Sequence, residues 1–206
     1  MWAAAKKSLA AAGRAVRFRV HGIDPVRRHV EILSELATAQ PERLSFGLGR
    51  AESLPVDSES VDLVWCRDVL VHVADLDAAY AEFRRVLRPQ GHAVMYQMFG
   101  TDRLEPREAD WLYTTMGIVP TSANATRTEQ AIAAAGLRGA EWGEYNEEHD
   151  GKPSRKLLHA ARLLRDPERY TARYGHTAHD IMLGDCLWHI YRMIGKLSPR
   201  VYLLST

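Results

Sequence analysis

The sequence predicts an α/β fold with a mostly parallel sheet and helices on both faces. Three observations predict it. Stretches of β character at 16–23, 44–48, 61–66 and 92–99 alternate with stretches of helical periodicity at 26–39 and 75–87. Parallel neighbours need crossover connections, so this alternation favours helices over both faces of one sheet. A chain of 206 residues with 46% hydrophobic content suits one domain with a packed core.

Taken in order, residues 3–12 are alanine-rich and helix-favouring, with Gly13 where a helix commonly stops. A strand over 16–23 ends in Gly22-Ile23-Asp24-Pro25 and leads into the helix over 26–39. Short strands follow at 44–48 and 61–66, separated by a polar, turn-rich segment over 50–60. The helix over 75–87 places Leu76, Ala79, Tyr80, Phe83, Val86 and Leu87 on one face, and Pro89-Gln90-Gly91 closes it before a strand over 92–99. The second half is less regular. Helices are predicted over 105–116, 128–135, 157–164 and 181–194, a strand over 137–145, a polar break over 147–154, and a last strand over 200–204 after Pro199.

Composition narrows the function classes. Lys plus Arg number 27 against 26 Asp plus Glu, which leaves no basic footprint for nucleic acid and suits a small or neutral partner. Cys66 and Cys186 are far apart with no paired spacing, as expected of reduced thiols in a cytoplasmic protein. No apolar run reaches the roughly 20 residues that cross a bilayer, and the start reads as a helix of the fold, not a leader. His176, His179, Asp180, Asp185 and His189 share helical faces but meet no known metal spacing, so no metal site is expected.

Ligands of open α/β sheets bind beyond the carboxyl ends of the strands. Asp24, followed by Pro25, stands at such an end, where a carboxylate can accept hydrogen bonds from both hydroxyls of a ribose. The same Asp-Pro pair is also a good helix start. Glu52, by itself, is a loop carboxylate. His72, after the strand over 61–66, carries an imidazole, a group type suited to taking a proton from an acceptor amine or hydroxyl, or simply to shaping a pocket wall or packing against the helix. Phe99, Trp111, Tyr113 and Met116 are candidates for an apolar acceptor pocket, and each is equally suited to ordinary core or surface packing.

Longer patterns add a resemblance. Arg50-Ala51-Glu52-Ser53-Leu54-Pro55 leads to Val61-Asp62-Leu63-Val64-Trp65. Cys66-Arg67-Asp68 with His72 leads to Arg85-Val86-Leu87-Arg88-Pro89-Gln90-Gly91. This spacing resembles the small-molecule class I S-adenosylmethionine-dependent methyltransferases of the type 11-like group. The resemblance covers 16–100 well and the rest in outline, and it implies a Rossmann-like methyltransferase fold. It also implies S-adenosylmethionine as cofactor, with Asp24 and Pro25 at the ribose, Ala51 and Glu52 beside the adenine, and the backbone of Cys66 and Arg67 at the methionine end. His72 becomes the catalytic candidate, and 101–136 and 147–198 become acceptor-side or lid elements of a single domain over 1–206.

The pattern departs from the family in two places. Pro89-Gln90-Gly91 stands where Pro-Gly-Gly is usual. No glycine occurs before Gly13, so the family's first strand and its Gly-x-Gly-x-Gly loop have no counterpart, and Gly47-Leu48-Gly49 falls at the wrong strand. A misplaced or truncated start, lost catalysis, and a strand supplied by a second chain each account for this. The leading expectation is methyl transfer to a nitrogen, oxygen or carbon of a small molecule, in a protein that admits homodimer formation. The alternative is a catalytically inactive, methyltransferase-like binding or interaction module. A dinucleotide oxidoreductase also uses an acidic residue after its second strand, but it fits the Leu-Pro segment and the Arg-Pro-Gln-Gly turn less well.

Overall fold

The computed structural model describes residues 18–141 and 152–206. The helix expected over 3–12, the turn at Gly13, the start of the first strand and all of 142–151, which holds the end of the strand expected over 137–145 and most of the polar break, lie outside the described residues. Two compact units divide at Arg50 and Ala51.

In the first unit, β1 (Val20–Asp24) pairs in parallel with β2 (Leu44–Leu48), from Val20 opposite Leu44 to Asp24 opposite Leu48. Helix α1 (Arg27–Ala37) makes the crossover that a parallel pair needs. The strand runs one residue past its expected end, so Asp24 is its last member. Ala37 alone is buried among this unit's described residues.

The second unit contains β3 (Val61–Arg67), a single 3-10 turn (Leu70–His72), α2 (Leu76–Val86), β4 (Leu87–Gly100), α3 (Pro106–Met116) and α4 (Ala125–Ala134). It continues with β5 (Arg138–Glu141), α5 (Lys152–Arg165), α6 (Pro167–Tyr174), α7 (His176–Met193) and β6 (Leu197–Ser205). The sheet order is β3-β4-β6-β5. β3 and β4 are parallel, whereas β6 enters antiparallel between β4 and β5. Helix starts follow their caps: Asp75 accepts from the Ala78 N–H at 2.9 Å, Asn124 from Arg127 at 2.9 Å, and Asp166 from Arg169 at 3.2 Å. The Asp166-Pro167 start opens α6, a helix that the apolar spacing had not indicated.

Several expected bounds shift, among them the start of β4, which already begins at Leu87 and takes in Pro89-Gln90-Gly91, and the start of α4 at Ala125. Helix α7 begins five residues early because its face is buried from His179 onward. β6 begins before Pro199, not after it. Pro199 pairs with Met98 on one side, and β5 reaches only Tyr202–Ser205 on the other, so the missing N–H falls where no ladder partner stands among the described residues. The polar break predicted over 147–154 is already helical from Lys152.

Alternate residues of β4 feed two clusters. Ala93, Met95 and Phe99 pack with Leu70, Leu76, Tyr80, Phe83 and Leu204. Tyr96 and Met98 pack with Val71, Leu112, Trp188 and Leu197. Both faces of this sheet therefore carry helices, which is the period-2 consequence of a strand buried on both sides. A third cluster, with Leu163, Leu183 and Cys186, joins α5 to α7. No helix among the described residues is long and apolar enough to cross a membrane.

Candidate functional site

At the end of β1 the half-buried Asp24 carboxylate does two local jobs. Its Oδ1 accepts the Val26 N–H at 2.8 Å, which turns the chain into α1. The His29 Nδ1 lies 3.2 and 3.3 Å from the two carboxylate oxygens. The strand-end position read from the sequence is present, whereas the helix-start role is not: α1 begins at Arg27 with Val26 as its cap and no side-chain cap bond, and Asp24 only braces the turn before it. His29, which the sequence reading passed over, is five positions on, one turn into the helix. A carboxylate offers roughly four lone-pair sites. These contacts leave acceptor capacity, so the group suits a vicinal diol. Pro25 is exposed beside it.

In the second unit, Ala51 is half-buried and packs against the first cluster, and Glu52 beside it is half-buried. The loop that follows is stapled to α2. Leu54 N–H donates to Glu82 Oε2 at 2.7 Å, while Arg85 donates to the carbonyls of Leu54 at 3.0 Å and Val56 at 2.8 Å. Arg85 also donates to both Glu82 oxygens at 2.6 and 2.7 Å and so holds the Glu82 carboxyl below the usual range. Glu82 and Arg85 were visible as part of the helix pattern. Their i,i+3 spacing was the available signal for the pair, but not for its target, about 30 residues upstream.

The end of β3 holds three expected residues close together in sequence and structure. Cys66 is buried, and burial pushes its thiol up to about 12, which makes it an inert packing group. The Arg67 guanidinium lies over the Tyr96 ring, 4.9 Å from its centroid. Asp68 takes a left-handed backbone at φ 52° while its N–H continues the ladder to Tyr96 O at 2.8 Å. The exposed His72 closes the 3-10 turn, and its Nδ1 lies 2.9 Å from the Gly117 carbonyl. A carbonyl only accepts, so Nδ1 carries a proton, and in the neutral imidazole Nε2 keeps its lone pair.

Of the expected acceptor-pocket residues, Phe99 does not line a pocket. It is 1% exposed, edge-on to Tyr202 and covered by the Arg200 guanidinium. The reason is register: Phe99 shares the face of Met95, which looks into the first cluster. Tyr113 and Met116 are half-buried against the second cluster, and burial pushes the Tyr113 hydroxyl up. Trp111 stays partly exposed on α3. The α7 histidines make helix contacts: His179 pairs with Asp180 at 2.9 Å, and Asp185 pairs with Lys156 and lies 3.8 Å from His189. A groove of about 570 Å³ beside Glu129, Leu137, Arg138 and Tyr202 lies toward the start of β4, opposite the end that carries Arg67.

Comparison with known proteins places this geometry. A family model described as a methyltransferase domain matches residues 4–95. The uncharacterized methyltransferase YcgJ of Bacillus subtilis (strain 168) is 32% identical over 82 residues, which is 39% of this chain and 32% of that protein. The matched stretches span about a third or less of the curated relatives. Among solved structures, the cyclase SpnF superposes with TM-score 0.71 at 19% identity, covering 98% of this chain and 71% of that one. Haemonchus contortus phosphoethanolamine N-methyltransferase 2, solved with S-adenosyl-L-methionine, gives TM-score 0.64 at 16% identity, covering 97% and 45%. The Rossmann-like fold and the resemblance read from the sequence both stand.

Proposed function

We propose that this chain, whose residues 4–95 match a methyltransferase domain, is a class I S-adenosylmethionine-dependent methyltransferase that moves a methyl group from S-adenosylmethionine to a nitrogen, oxygen or carbon of a small molecule. The observation that carries the reading is Asp24: a carboxylate at a strand end with lone pairs left over after its local contacts. In this reading Asp24 accepts both ribose hydroxyls next to Pro25, Ala51 and Glu52 face the adenine, and the backbone of Cys66 and Arg67 borders the methionine end. The cofactor supplies a methyl group on a sulfonium, already activated. The protein's task is then alignment, plus removal of a proton where the acceptor needs it. His72 takes that proton on Nε2. Residues 1–206 act as one domain, with 101–136 and 147–198 on the acceptor side. The reading includes a cytoplasmic location and no nucleic-acid partner, and it admits a homodimer.

Calorimetric titration with S-adenosylhomocysteine tests it. Micromolar binding is expected, and Asp24→Ala should weaken it by about tenfold or more, the scale of losing charge-assisted hydrogen bonds. Unchanged affinity in that variant would remove Asp24 from the site. A well-folded chain with no affinity would favour the non-catalytic module.

A further inference from the structure

We infer that Gly117 is a positioning residue for His72. Its left-handed backbone turns a carbonyl onto the imidazole and holds it in the Nδ1–H form, with Nε2 open. The inference rests on the reading of His72 as proton acceptor and explains how the fold prepares it.

Gly117 ends α3 at φ 65° and ψ 35°. A Cβ at this position would meet nothing within 4 Å, so the glycine is required by its dihedral angles and not by space. The loop that it opens is sewn to the turn carrying His72 on both sides of that residue. Val119 N–H donates to Val71 O at 2.8 Å, and Ser122 Oγ donates to Val73 O at 2.5 Å. Gln97 Nε2, from the middle of β4, donates to Ser122 O at 2.7 Å. Ser122 and Gln97 are buried. Buried and satisfied bonds of this kind are costly to break, so the carbonyl of Gly117 has little freedom to leave His72. An unconstrained neutral imidazole favours the Nε2–H form, whose bare nitrogen would then face the loop. The Gly117 carbonyl reverses that preference.

Long-range proton–nitrogen NMR of the histidine-labelled chain reads the tautomer directly. In the unmodified protein, the ratio of Nδ1–H to Nε2–H is expected to rise roughly fivefold or more over that of a free imidazole, the scale of one neutral hydrogen bond, so that Nδ1–H becomes the major form. A predominance of Nε2–H overturns the inference without any variant. Gly117→Asn, which tolerates the left-handed region, should keep the Nδ1–H form, and Gly117→Val, which rejects it, should lose the excess. Equal tautomer ratios in the two variants also overturn it. The outcome is separable from the transferase reading, because absence of S-adenosylhomocysteine binding defeats that reading and leaves the tautomer untouched.

Discussion

The two units hold their candidate residues by different means. Asp24 ends a two-stranded sheet whose described residues bury little beyond Ala37, and its geometry comes from local contacts to Val26 and His29. Cys66 and Arg67 end, and His72 follows, a strand whose inner face packs into a large cluster, and His72 is braced by a loop 45 residues downstream. A two-stranded sheet is marginal alone, whereas a multi-stranded sheet covered by helices is self-supporting. The comparison teaches that candidate site residues of one chain can stand on frameworks of unequal support. It also separates fold from activity, because a cyclase shares this architecture.

The largest expected difference is in packing. Leu70→Ala, at a fully buried site of the second unit, should cost about 3 kcal/mol in urea unfolding, while Leu36→Ala on the exposed face of α1 should stay within about 0.5 kcal/mol. Similar losses would erase the contrast.

Next comes the alkaline limb of stability. The Cys66 thiol is raised from 9.0 to about 12, so the folded chain keeps a proton that the unfolded chain releases. Its contribution is full below pH 9.0 and falls between 9.0 and about 12, by about 1.4 kcal/mol per pH unit. Denaturation midpoints against pH should therefore fall less steeply in Cys66→Ala. Identical slopes would mean that burial does not protect this thiol.

Gln90 and Gly91 allow a smaller test. Gln90 has φ 66°, a conformation that suits glycine, whereas Gly91 is needed for space, since a Cβ there would lie 2.9 Å from Arg88 O. Gln90→Gly should stabilise the chain by about 1 kcal/mol, seen as a higher melting temperature. A fall in melting temperature would show that the Gln90 side chain contributes more than its backbone costs. The smallest effect is expected for Arg85→Ala, which frees the loop of Leu54 and Val56. Faster amide exchange over 54–58 and a loss of S-adenosylhomocysteine affinity of roughly threefold would follow. Unchanged exchange would show that the loop holds its shape without the staple.

Much of the element order was legible because periodicity is local information. The strand at 44–48 matches its expected bounds, the helix read over 75–87 is present as Leu76–Val86, and Asp24 lies at a strand end, as read. Short polar helices were less legible: α6 depends on its Asp166-Pro167 start more than on apolar spacing. Phe99 was misplaced because aromatic character does not say which face of a strand a residue takes.

By itself, the sequence determined which stretches become strands or helices and which residue types stand at strand ends, since both follow from side-chain pattern along a few turns of chain. Only the tertiary structure decided that β6 inserts between β4 and β5, that Arg85 holds the loop after Glu52, and that a glycine carbonyl meets the Nδ1 of His72. Those outcomes join residues tens of positions apart, and such pairings arise from packing and hydrogen-bond satisfaction across the whole unit, which no local pattern encodes.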